Sequence, residues 1–75
     1  MNFKKLLKLK KISQQDLAKI VNFKQQTISN WCTGYREPTL ETLVKISKYL
    51  NVSIDEVVLS LIESKVERRM GNENI

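Results

Sequence analysis

Lys24–Gly34, KQQTISNWCTG, is the stretch whose reading decides the fold. Wound as a helix at about 100° per residue, it places Gln25, Gln26, Ser29, Asn30 and Thr33 on one arc and Ile28, Trp31 and Cys32 on the opposite one. Solvated helix faces are ordinarily charged, yet this one carries no formal charge from Gln25 to Thr33. Side-chain amides both donate and accept, which is what reading base edges requires. Gln and Asn can pair bidentately with adenine N6 and N7 in the major groove, and Ser and Thr can bond to several bases or offer a methyl to thymine. The competing reading of this stretch alone is a polar surface helix ended by Gly34.

Toward the N-terminus, Asn22 stands where the chain must turn, and Asn is one of the few residues besides Gly that tolerates a left-handed backbone. Phe23 is expected to plug that turn from inside. Ser13 opens a preceding helix, with Asp16 three positions on as a capping-box-like partner and Leu17, Ala18 and Val21 as its inward stripe. Ala18 lets another helix cross closely. A helix of about eight residues, a tight turn and a second helix with an uncharged polar face form a helix-turn-helix signature. Further upstream, NFKKLLKLK (2–10) spaces Phe3, Leu6 and Leu7 as one apolar stripe, with Lys4, Lys5, Lys8 and Lys11 around the rest. Taken alone, that segment also fits a basic amphipathic membrane helix, although it lacks the apolar region and cleavage site of a signal peptide.

Toward the C-terminus, Gly34 suits the residue just past a helix end. Tyr35–Pro38 make a short loop, and Thr39 caps LETLVKISKYL, where Leu40, Leu43, Ile46, Ser47 and Leu50 share one face. Asn51 reads as a left-handed stop, and Ser53 with Glu56 forms a capping box before VVLSLIESKVERR. Val57, Val58, Leu61, Ile62 and Val66 make a stripe wide enough to serve a core and leave a part exposed. Residues 1–69 are therefore expected to form one domain, and residues 70–75, MGNENI, a disordered tail.

Seventy-five residues leave room for a single small core and argue against an enzyme with a deep cleft. The net charge of +5 is unevenly spread: residues 1–38 hold eight Lys and Arg against two acids, residues 39–75 five against six. The basic half contains the polar helix. The absence of His excludes His-dependent triads and the common Cys/His zinc sites, so no catalytic residue, metal or cofactor is expected. One cysteine cannot form an internal disulfide, and Cys32, on the inward arc, reads as a small buried hydrophobe. No apolar run approaches the length of a transmembrane span.

The combination of ISQQDLAKIV, QQTISNW followed by Gly34, the Pro38–Leu43 segment and Leu50–Ser53 resembles the Cro and phage-repressor, Xre-type helix-turn-helix family from about Phe3 to Val58. The resemblance implies an all-α, compact five-helix lambda-repressor-like domain whose second motif helix enters the major groove. It also implies Gln25, Gln26, Ser29 and Asn30 as base contacts and Gln14, Lys24, Thr27, Tyr35 and Arg36 as phosphate contacts, the latter setting register and salt-dependent affinity. Two departures stand out. Leu7 and Cys32 occupy positions where many relatives pair an Arg with a Glu, and an apolar replacement of a buried ion pair is often neutral or stabilising; their joint change suggests that the two positions touch. Asn22 replaces the usual turn Gly.

The leading expectation is a cytoplasmic, nucleoid-associated transcriptional regulator, a bacterial or phage repressor that binds double-stranded DNA as a homodimer on a palindromic operator. Dimerisation is assigned to Val58, Leu61, Ile62 and Val66 of the final helix. The alternative is an antitoxin-like module whose C-terminal helix binds a partner protein. A membrane-active basic segment is the third reading.

Overall fold

The computed structural model describes the backbone of residues 1–73 and the side chains of residues 1–70. Five helices follow one another: α1 (Phe3–Leu9), α2 (Gln14–Val21), α3 (Gln25–Cys32), α4 (Leu40–Leu50) and α5 (Ile54–Glu73). Short polar side chains start four of them by accepting an orphan backbone N–H. Asn2 accepts from Lys5 at 2.9 Å, Ser13 from Asp16 at 3.0 Å, Thr39 from Thr42 at 3.4 Å and Ser53 from Glu56 at 3.1 Å. Lys24, at the start of α3, makes no such bond.

The first four helices end in one way. A residue with positive φ follows each: Lys11 (59°), Asn22 (60°), Gly34 (77°) and Asn51 (57°). The next N–H then reaches back five residues, Ile12 to Leu7 at 3.0 Å, Phe23 to Ala18 at 2.9 Å, Tyr35 to Asn30 at 2.9 Å and Val52 to Ser47 at 3.1 Å. This is the Schellman arrangement, which satisfies carbonyls that a helix end leaves open. Only one of the four sites is glycine, and space explains it. A Cβ on Gly34 would lie 2.5 Å from the Ser64 carbonyl oxygen and 2.7 Å from Lys65 Cα, both backbone atoms of α5. At the other three the side chain is exposed.

Helix α5 is the element on which α1, α3 and α4 pack. The core they enclose is built from Phe3, Leu6, Leu7, Leu17, Ala18, Val21, Ile28, Trp31, Cys32, Leu43, Ile46, Leu50, Val57 and Leu61. Burying a large apolar side chain of this kind stabilises by about 1.5–3 kcal/mol. Leu7 and Cys32 both lie in that cluster. Because Phe3, Leu6 and Leu7 are buried, the apolar stripe of α1 is used in the core and is not offered to lipid. Among the described residues no helix is long and apolar enough to cross a membrane.

Ser64 forms a junction inside this packing. Its Oγ accepts from the Phe3 N–H at 3.0 Å and donates to the Ser60 carbonyl at 3.1 Å, while its own backbone meets Gly34. A small hydroxyl thus lets the start of α1 and the end of α3 approach α5 together.

Three expectations are corrected. Phe23 is 43% exposed and covers Trp31 from outside, edge-on, with ring centroids 5.4 Å apart; the adjoining interior is already filled by Trp31. Leu40, in the first turn of α4, is 82% exposed rather than inward, because the core-facing arc of that helix begins at Thr42 and Leu43. Leu61 is buried in the core, so it is not part of an exposed stripe. Helix α5 runs to Glu73, and residues 74–75 of the expected tail lie outside the described residues.

Candidate nucleic-acid interface

Helix α3 presents its amide face as its sequence requires: Ile28, Trp31 and Cys32 are buried, so the opposite arc is turned outward. Gln25 and Gln26 are exposed, while Thr27, Ser29 and Asn30 are half-buried. Gln26 Nε2 donates to Asn30 Oδ1 at 3.1 Å, one helical turn on. That bond orients both amides and leaves Gln26 Oε1, one Gln26 N–H and the Asn30 amino group for an outside partner. An acceptor and a donor on one planar amide match the donor and acceptor of an adenine edge.

The start of α3 is electropositive. No acidic residue lies in its first turn, and Lys24 accepts from Thr27 and Ile28 through its carbonyl only. The N–H groups of Gln25 and Gln26 have no partner among the described residues, and unpartnered N–H groups at a helix start favour an anion. Gln14, the first residue of α2, is half-buried in a shallow depression shared with Lys4 and Lys8 of α1. Both lysines are exposed.

Beyond α3 the chain is held tightly. The Asn30 carbonyl accepts from the Tyr35 N–H at 2.9 Å, the Arg36 N–H at 3.2 Å and the Thr33 hydroxyl at 3.2 Å. The exposed Tyr35 ring carries two guanidinium groups: Arg36 with its central carbon 5.1 Å from the ring centroid, and Arg68 of α5 at 4.7 Å. Lys65 pairs with Glu37 at 2.7 Å. Nothing local in the sequence marks Arg68, which reaches the loop only through the packing of α5.

Cys32 is buried behind this surface, and loss of hydration pushes its thiol up to about 11, with Lys4 opposing the shift. It is therefore a protonated, inert core residue at neutral pH. The influence of Lys4, three residues before Leu7, fits a close approach of α1 to Cys32.

The expected dimerisation residues divide. Val58 is half-buried against the core and Leu61 is buried, whereas Ile62 and Val66 are 50% and 44% exposed. With Met1, Leu9 and Leu59 the last two line an apolar groove of about 680 Å³ between α1 and α5. Leu59, 63% exposed, is the residue that the sequence reading missed there.

A family model described as helix-turn-helix matches residues 3–57 of this chain. The chain is also similar to the uncharacterized HTH-type transcriptional regulator YqaE of Bacillus subtilis (strain 168), with 35% identity over 65 residues that span 87% of this chain and 56% of that protein. This chain thus spans little more than half the length of that relative. No solved structure matches it significantly.

Proposed function

The chain belongs to the Xre-type helix-turn-helix family, a non-enzymatic class of DNA-binding regulators, and from that premise we propose that it represses transcription by reading a palindromic operator as a homodimer. Helix α3 enters the major groove. Gln25 and Gln26 read bases first, with Asn30 and the half-buried Ser29 behind them. Lys24, the N–H groups at the start of α3, Gln14, Thr27, Tyr35 and Arg36 hold the phosphates on either side. The protein works where the genome is, in the cytoplasm on the nucleoid.

The observation that carries this reading is the exposed, uncharged amide pair at the start of α3, set in the basic half of the sequence. Base readers must shed water cheaply and distinguish donors from acceptors, and amides do both. Contacts to phosphates, by contrast, carry no sequence information directly.

For self-association the supporting feature is the groove of Met1, Leu9, Leu59, Ile62 and Val66. A second copy packed there on a twofold axis would set two α3 helices about 34 Å apart, one turn of B-DNA. The same groove supports a second reading, a partner protein seated on α5 in place of a second copy.

The deciding experiment is selection of bound duplexes from a random pool at moderate salt, followed by sequencing. Enrichment of a palindrome with half-sites about 10 bp apart is expected. Salt-sensitive binding with no enriched sequence would overturn base reading by α3 and bring the partner-protein reading forward.

A further inference from the structure

We propose that Arg68 of α5, lying over Tyr35, forms with Arg36 a backbone anchor in the interface: a site for a DNA phosphate built from two parts of the chain. This rests on the DNA-binding reading above and extends it to a helix whose role there would otherwise be structural. Three observations converge. First, the two guanidinium carbons lie 5.1 Å (Arg36) and 4.7 Å (Arg68) from one ring centroid, so one aromatic ring gathers two like charges. Second, among the described residues neither arginine has a carboxylate within ion-pair distance; the neighbouring Glu37 is paired with Lys65 instead. Two cations gathered with no counter-charge among the described residues mark a place for an anion. Third, this place is tied to the reading helix. The Tyr35 and Arg36 N–H groups bond to the Asn30 carbonyl, and the Asn30 side chain accepts from Gln26. The loop half of the anchor is therefore hydrogen-bonded to the helix that carries the base readers.

The ring explains why arginine suits the position. Stacking fixes a planar guanidinium by its face and leaves its N–H edge for a bidentate contact with phosphate oxygens. Gly34 against Ser64 and Lys65, and the Glu37–Lys65 pair, hold the loop to α5 on either side of Tyr35. Arg68 is then presented by a rigid helix rather than by a mobile loop.

The test measures affinity for the selected duplex and for a random-sequence duplex from 50 to 200 mM salt, for the wild type, Arg36→Gln, Arg68→Gln and Arg68→Lys, with thermal unfolding as a check on folding. A lost phosphate contact lowers the salt slope by about 0.9, which lessens the fall in affinity over that fourfold range by about 3.5-fold. Arg68→Gln is expected to show this on both duplexes while melting like the wild type. Arg68→Lys keeps the charge without the planar fork, so it should retain most of the slope with weaker affinity. On a Tyr35→Leu background, Arg68→Gln should add little, since the ring that positions it is gone. An unchanged slope for Arg68→Gln beside a reduced one for Arg36→Gln would overturn the role of Arg68 and leave the DNA-binding reading intact. Wild-type protein with no salt-sensitive DNA binding would overturn both.

Discussion

Replacing Gly34 by alanine separates two reasons for a glycine that usually come together. The first is conformational: at φ 77° an L-residue costs about 1–2 kcal/mol, of which about 0.4–1 kcal/mol returns through the stiffer unfolded chain. The second is spatial. The new methyl would stand 2.5–2.7 Å from backbone atoms of Ser64 and Lys65, and backbone cannot swing aside as a flexible side chain does. Relief requires α3 and α5 to part, an overpacking effect of about 1–3 kcal/mol. The expected total is about 2–4 kcal/mol, against a global stability of about 4–11 kcal/mol for a chain of this length. Asn51→Ala is the control, because Asn51 has φ 57° and an exposed side chain; only the conformational part applies, about 1 kcal/mol. Urea unfolding followed by the fluorescence of Trp31, the single tryptophan and 2% exposed, measures both variants. A cost for Gly34→Ala no larger than for Asn51→Ala would refute the argument that α5 backbone closes this site.

Gln25→Ala and Gln26→Ala should each cost about 1–3 kcal/mol on the selected duplex and relax preference at one base pair; competition binding in which cognate and random DNA lose affinity equally would remove the residue from the base readers. Cys32 gives a pH dependence with a definite sign. Its thiol is ordinary when unfolded and raised to about 11 when folded, so the folded state holds the proton longer. The stabilisation from keeping it neutral is complete below about pH 9 and is lost as pH rises toward 11; in urea titrations Cys32→Ala should show a flatter decline over that window than the wild type. Ile62→Glu places a charge in the apolar groove, where Ile62 is half exposed and outside the core. Sedimentation should find a folded monomer, and an unchanged sedimentation coefficient beside a wild-type dimer would exclude this groove as the interface. Inserting about 5 bp, half a helical turn, between the selected half-sites should reduce affinity to that of one half-site; retained affinity in a gel-shift assay would argue against a rigid twofold dimer.

What could be read in the sequence was whatever is decided within one helical turn. Ser13, Thr39 and Ser53 accept the N–H three residues ahead, and Asn22 and Asn51 adopt the left-handed conformation that their side chains tolerate. The amide arc of α3 follows from periodicity in the same way. Lys11 was illegible because its φ of 59° is imposed by the packing of Ile12 against the core, and lysine carries no local preference for it. The stripe on α5 was too broad to divide by spacing. Which of Leu59 and Leu61 faces inward depends on where α1 and α4 lie against the helix, and that is a property of the whole fold. Arg68 and Tyr35 are separated by most of two helices in sequence and meet only because Gly34 lets the loop settle on α5.

The two faces of α5 make different demands and lie nearly opposite each other. At about 100° per residue, Ser64 and Arg68 lie close together on one side, where Ser64 meets both the start of α1 and the end of α3 and Arg68 meets the Tyr35 ring. Leu59, Ile62 and Val66 advance around the other, into the open groove. A second copy seated in that groove would therefore leave the proposed phosphate anchor uncovered. It would also be rigidly tied to it, since the same twenty-residue helix carries both. In the proposed dimer, the separation of the two α3 helices would follow from the packing of α3 against α5. Gly34, which sets how closely those helices approach, then bears on DNA spacing as well as on stability.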